Sequence, residues 1–174
     1  MLEILKDLMG YETLAMASTW PDEMRSNPKW KHADSWHYVS IPDGKTYQES
    51  QKNPKGDIFT AIDKYIKVLQ DKQASREQRK IAIRFVTHLI GDLHQPLHVG
   101  IKKDRGGNTI RLRWFNQQTN LHRVWDSNLI NSERLSYSEY VSFIAPMINK
   151  NKIKAWEKGN PYDWGMESYQ LRKL

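Results

Sequence analysis

The segment Ser75–His98, SREQRKIAIRFVTHLIGDLHQPLH, constrains this chain most, because it combines a long amphipathic pattern with clustered ionisable side chains. Ser75 predicts an N-cap, and the apolar spacing after it predicts a helix of about five turns. His88 and Asp92 stand four residues apart, so on a helix both side chains leave one face. Pro96 cannot supply a helical amide hydrogen and is expected to end the helix. His98 would then lie just beyond, free to turn back toward the same pocket. His94 sits about 600° of helical rotation from His88 and points elsewhere, so it reads as structural or supporting.

The His-x-x-x-Asp spacing recurs at His122 and Asp126, within NLHRVWDSNLI, which also has helical spacing. A single such pair is most often a hydrogen-bonded helix face. Two pairs with a further histidine between them are hard to ascribe to surface decoration. His37 in WHYV, among aromatic residues, and Asp22 in WPDE, after a proline, are unexceptional alone; the common role for Asp22 is a helix N-cap. They gain weight because zinc takes nitrogen and oxygen ligands gathered from distant segments. The chain has no cysteine, which excludes disulfides and thiolate metal sites. A zinc ion would need imidazole and carboxylate ligands, a set commoner in catalytic than in structural sites. His32 in PKWKHADS is expected to be solvated.

The remaining features set the frame. A length of 174 residues is expected to form one domain, 1–174, with a real core. Seven tryptophans and eight tyrosines argue against disorder. A net charge of +7 favours anionic partners such as nucleic acid, phosphoesters or membrane surfaces. No membrane-spanning run is present, and MLEILKDLMG carries acidic residues where a signal peptide would have basic and apolar regions. Helices are expected over 2–9, with Gly10 as a stop, and over 11–18. Residues 26–57, dense in turn formers, read as loop. The segment 58–70 has a core-facing stripe at 58, 62, 65, 66 and 69. NTIRLRW alternates as a short strand or hairpin after a glycine turn, and SYSEYVSFIAPMI and DWGMESYQLRKL add helical candidates. The expected class is all-α: a mainly helical domain with long loops and a short β-hairpin.

The ordered segments ASTWPDEMR, DSWHYV, FVTHLIGDLHQPLHVG, DRGGNTI and NLHRVWDSNLI, with WGMESYQL near the end, resemble the zinc-dependent class I nucleases of the S1/P1 type. This is the single-strand-specific group that includes mung bean nuclease. The resemblance implies a helical, phospholipase C-like fold holding three zinc ions. One zinc would take Asp22, His37, His88 and Asp92; a second would take His98, His122 and Asp126. The third would share Asp92 and otherwise use a histidine and an amino-terminal tryptophan. No such start precedes Asp22, and the last helices of the family are expected beyond WGMESYQL. The chain is therefore expected to be trimmed at both ends, with two complete zinc sites.

By the same resemblance, Asp22 coordinates metal and orients or deprotonates the attacking water, and Arg25 meets the phosphate. Gly106, Gly107 and Asn108 match the base-binding pocket, although two glycines and an asparagine would make a tight turn anyway. An acidic residue expected three positions after His37 is Ser40 here. The implied activity is a zinc-dependent endonuclease and 3′-nucleotidase that cuts single-stranded DNA and RNA to 5′-phosphate products, in a secreted or periplasmic protein without a stable protein partner. Two alternatives stand beside it: a phospholipase C-like phosphodiesterase, and a non-catalytic basic module that binds single strands.

Overall fold

The computed structural model describes residues 2–174, with side chains from Leu5 onward, so Leu2 of the first expected apolar stripe falls outside the described side chains. The architecture is mainly helical, as the apolar periodicity implies. Helix α1 spans Leu2–Met9 and α2 spans Leu14–Glu23. Strand β1 is Val39–Ser40, followed by α3, Ile58–Gln70, and α4, Arg76–Leu93. Strands β2, β3 and β4 are Val99–Gly100, Arg111–Trp114 and Gln117–Asn120. Short α5, Leu121–Arg123, and α6, Leu129–Ser132, precede α7, Tyr137–Ile144, α8, Lys150–Trp156, and α9, Pro161–Arg172.

Helix α4 is the central post. Its start is held by a capping box in which the Ser75 side chain accepts from the Gln78 amide and the Gln78 side chain accepts from the Ser75 amide, satisfying two donors that a helix N-terminus leaves free. Its inner face buries Ala82, Phe85, Leu89 and Leu93. Helix α3, with its own capping box between Asp57 and Thr60, packs along one side, and α2 along another. Phe85 is the meeting point of the aromatic core. Tyr65 stacks on it at 4.5 Å between centroids, and Trp20, Trp30 and Trp36 pack at 5.4–5.8 Å. Helix α9 closes the core from the C-terminal side. A Cβ at Gly165 would stand 2.5 Å from Phe59, so only glycine permits this approach, and Ser168 then donates to the Leu93 carbonyl at 2.6 Å.

The structure departs from the sequence expectations at several points. Helix α2 covers 14–23 rather than 11–18, because the Thr13 side chain caps it by accepting from the Met16 amide. It also runs through Pro21, placing Asp22 in its last turn rather than at an N-cap. The stretch 26–57 is not all loop: Pro28–His37 winds as a 3₁₀ helix started by Asn27. Helix α4 stops at Leu93, short of Pro96, which opens the 3₁₀ turn Pro96–His98; a residue before proline is pushed out of helical geometry. The helix expected over 120–130 is broken by a π turn at Val124–Asn128. Strands β1 and β2 pair in parallel, Val39 with Val99, whereas β3 and β4 form the expected hairpin. Among the described residues no helix is long and apolar enough to cross a membrane.

Two stability predictions arise from this packing. Replacing Phe85, 1% exposed, with alanine leaves four aromatic rings facing a void and is expected to cost about 3–5 kcal/mol in urea unfolding. The second concerns Glu12, which clamps the α1–α2 corner to α4. Its carboxylate accepts from Arg84 Nε at 2.8 Å and from Arg84 Nη2 at 2.7 Å, with Lys80 at 3.2 Å. The Arg84 hydrogen bond holds its carboxyl below the ordinary 4.5. A carboxyl lowered in the folded state contributes stability that is complete above its unfolded value and is lost as pH falls through the folded one. Thermal melts of Glu12→Gln should therefore show a loss of about 1.5–3 kcal/mol near neutrality that shrinks in acid.

Candidate metal centre

Asp92, near the C-terminal end of α4, sits between two groups of imidazoles. Its Oδ2 lies 2.9 Å from His37 Nδ1 and 2.9 Å from His88 Nε2, while its Oδ1 lies 3.3 Å from His98 Nδ1. The helical spacing accounts for His88 and Asp92. His37 arrives at the end of the 3₁₀ helix, and the turn that Pro96 starts swings His98 in from the other side. Asp22, in the last turn of α2, stands 3.7 Å from His37 and 3.8 Å from His88. One candidate metal-binding group is thus Asp22, His37 and His88, with Asp92 against it. A second comprises His98, His122 and Asp126. There the His98 and His122 rings stack at 5.0 Å, and Asp126 Oδ1 lies 3.7 Å from His98 Nε2.

Backbone carbonyls set the imidazole tautomers. His88 Nδ1 lies 2.6 Å from the Ser18 carbonyl and His122 Nδ1 lies 2.7 Å from the Gly106 carbonyl. Carbonyls only accept, so both Nδ1 atoms donate, which leaves Nε2 as the atom each ring would offer to a metal ion; when protonated instead, His88 Nε2 donates to Asp92 Oδ2 at 2.9 Å. The Nδ1–carbonyl contact is the outer hydrogen bond that orients metal-ligating histidines. It also gives Gly106 a structural reason: its φ is +61°, and a Cβ there would lie 2.5 Å from the Leu97 carbonyl.

The charge balance favours a cation. Burial alone would raise the Asp92 carboxyl, but hydrogen bonds with His37, His88 and His98 outweigh it and hold it far below the usual carboxylate range. For His88 and His98, burial pulls the imidazole down, and the Asp92 hydrogen bond and charge overcome that and raise both. The same carboxylate that draws protons onto these rings attracts a metal ion. His37 Nδ1 and His88 Nε2 approach to 2.9 Å, and His37 Nε2 is buried without a hydrogen-bond partner. Ligand atoms around one tetrahedral zinc stand roughly 3.3 Å apart, given Zn–N near 2.05 Å. The spacings of 2.9–3.8 Å in the first group bracket that value, so these residues fit such an ion. The π turn has a role here as well, since it carries Asp126, and such widened turns recur at functional sites.

A cleft of about 380 Å³ opens over the two groups. Arg25 borders it, with its Nη1 3.4 Å from Asp22 Oδ1, as do Gly106 and Asn108, whose side chain donates to the Arg105 carbonyl. Gly107 does not line the cleft; it is buried, and its backbone accepts from the amides of Ile110 and His122. His94 lies apart, its Nδ1 donating to the Ile90 carbonyl, and His32 is exposed against the Trp30 and Trp36 rings. Sequence reasoning missed Asp34, Tyr38, Lys102 and Arg105 along the cleft. Asp34 and Tyr38 flank His37 within DSWHY, and that proximity was an available signal. The Ser18 carbonyl carried no such signal, because its contribution is backbone.

The S1/P1 Nuclease family matches residues 2–173 of the chain. Endonuclease 3 of Arabidopsis thaliana is 36% identical over 170 residues, covering 92% of this chain and 56% of its own length. Nuclease P1 of Penicillium citrinum is 32% identical over 135 residues, covering 72% and 50%. Nuclease S1 of Aspergillus oryzae is 30% identical over 131 residues, covering 72% and 45%. The chain thus spans about half the length of these curated relatives. With a match across nearly all of its residues and the helical, phospholipase C-like fold of that group, the chain belongs to the S1/P1 Nuclease family.

Proposed function

We propose that this chain is the metal-binding core of a zinc-dependent nuclease that hydrolyses phosphodiester bonds in single-stranded DNA and RNA, leaving 5′-phosphates and also acting on 3′-nucleotides. The observation that carries this reading is the pair of His/Asp groups linked through Asp92, under a cleft bordered by Arg25 and Asn108. Asp22, His37, His88 and Asp92 would hold one zinc ion, and His98, His122 and Asp126 a second. A third in the whole protein would share Asp92. Zinc, when bound, supplies electrostatic stabilisation of charge developing on phosphate oxygens and makes water easier to deprotonate.

The chain's own residues divide the remaining work. The Asp22 carboxylate is half exposed and lies beside Arg25, which borders the cleft, so it can orient an attacking water and accept its proton. The Arg25 guanidinium, beside it, offers a forked pair of donors to a phosphate oxygen. Tyr38, with 46% of its surface exposed, presents a ring face to an unpaired base, and the Asn108 amide beside Gly106 offers hydrogen bonds to a base edge. A paired base cannot reach either group without leaving its stack, which favours single strands. The family resemblance supports a secreted or periplasmic setting.

Metal content checks the ligand assignment. Zinc titration of the purified chain, followed by elemental analysis, is expected to show two equivalents. His88→Ala and His122→Ala should each remove one, while His94→Ala should leave both. Activity checks the substrate. Single-stranded DNA should be cut with zinc and spared with a chelator, duplex DNA should be cut slowly, and Asp22→Asn should lower kcat by about 10²-fold or more. Turnover of phosphatidylcholine without nucleic acid cleavage would replace this reading with a phospholipase C-like one. Tight single-strand binding with no turnover would make the chain a binding module.

A further inference from the structure

A second cavity, of about 500 Å³, adjoins the metal cleft. Tyr38, Val39, Ser40 and Lys102 line both, so the two share the β1 strand as a common wall. Its walls are largely apolar, contributed by Val39, Pro42, Pro54 and Ile101. Its rim is basic: Lys52 and Lys103 join Lys102, and all three are exposed. Among the described residues the lysines with carboxylate partners are Lys31 and Lys80, so none of these three is neutralised. Lys52 is nevertheless held in place. Its ammonium lies 3.4 Å from the Tyr47 ring centroid and donates to the Tyr47 carbonyl, leaving further donor hydrogens free. The acidic residue in the cavity wall, Asp57, is buried and committed, accepting from the Tyr47 hydroxyl at 2.9 Å and the Thr60 amide at 3.1 Å.

We infer that this cavity is a subsite for a flanking nucleotide of the same single strand, its base against the apolar wall beyond Tyr38 and its phosphates on Lys52 and Lys103. The inference rests on the nuclease reading above and adds where the strand runs beside the bond to be cut. The chemistry is that of a flat apolar base with an anion at each end, which an apolar slot with a basic rim suits. Tyr38 is shared by both cavities, so one ring separates the base over the metal groups from its neighbour. Lys102 bridges the two rims in the same way. Lys52 and Lys103 line the second cavity and not the metal cleft, so a mononucleotide seated in the cleft is expected to leave them unengaged. The subsite therefore raises affinity for oligonucleotides selectively.

The test measures binding separately from cleavage. A fluorescein-labelled phosphorothioate octathymidylate, which resists hydrolysis, is titrated by anisotropy with the zinc-loaded chain, and thymidine 5′-monophosphate is titrated by calorimetry. The double variant Lys52→Gln/Lys103→Gln is expected to weaken octamer binding about tenfold at low salt. The slope of log K against log salt should become shallower by about 1.4, from two lost phosphate contacts on a single strand. Mononucleotide affinity should stay within twofold, and Lys52→Arg/Lys103→Arg should restore octamer binding. Unchanged octamer binding, an equal loss for the mononucleotide, or no rescue by arginine would overturn the subsite. Cleavage of an ordinary octathymidylate is scored separately. Cleavage with lysine-independent binding rejects the subsite and keeps the nuclease, whereas lysine-dependent binding with no cleavage rejects the nuclease and keeps a strand-binding groove.

Discussion

One carboxylate organises the centre of this protein. Asp92 touches His37, His88 and His98 within 2.9–3.3 Å, and its side chain is only 14% exposed. A buried carboxylate without positive partners would be strongly disfavoured, so its position requires either protonated imidazoles or a bound cation beside it. The three histidines arrive from three elements: a 3₁₀ helix, an α-helix and a proline-started turn. The electrostatic requirement of one group thus dictates how the segments around it converge.

The scaffold around Asp92 holds that convergence through ordinary packing. Phe85 lies two turns earlier on the same helix, and its four aromatic neighbours come from α2, α3 and the 3₁₀ helix. Locking those elements against Phe85 also sets where Asp22 and His37 end up, because each lies on an element that contributes one of the rings. On the other side, Gly100 and Gly106 let the loop after β2 close on the Leu97 carbonyl, and the Gly106 carbonyl then aims His122. Core packing and metal-group geometry are two consequences of the same contacts.

Much of this was legible in the sequence, and the rest was hidden for identifiable reasons. Ser75 and the apolar stripe after it disclosed α4, because caps and periodicity are local properties. The hairpin after the paired glycines was legible on the same grounds. The 3₁₀ helix at 28–37 was hidden inside a run of turn formers, since a 3₁₀ helix is built from the residues that also build turns. The π turn that carries Asp126 was invisible for a different reason. Its i, i+4 pattern is that of an α-helix, and only the surroundings decide which hydrogen bonds form. The common role of an aspartate in such a position, a helix N-cap, does not hold for Asp22, which lies at a helix end because Thr13 offers a cap further upstream.

By itself, the sequence determined which side chains were available for chemistry: imidazoles and carboxylates without thiols, two of them on one face of a capped helix. It also determined, through a proline and a pair of glycines, where the chain had to turn. Tertiary structure alone decided that Asp22, His37 and His88 form one group and that His98, His122 and Asp126 form another. It also decided that Asp92 stands between them, and that an apolar slot with a basic rim continues past Tyr38. The physical reason is separation along the chain. Spacing within a helix is set by backbone geometry, but residues up to about seventy positions apart meet only when a shared core brings their elements together.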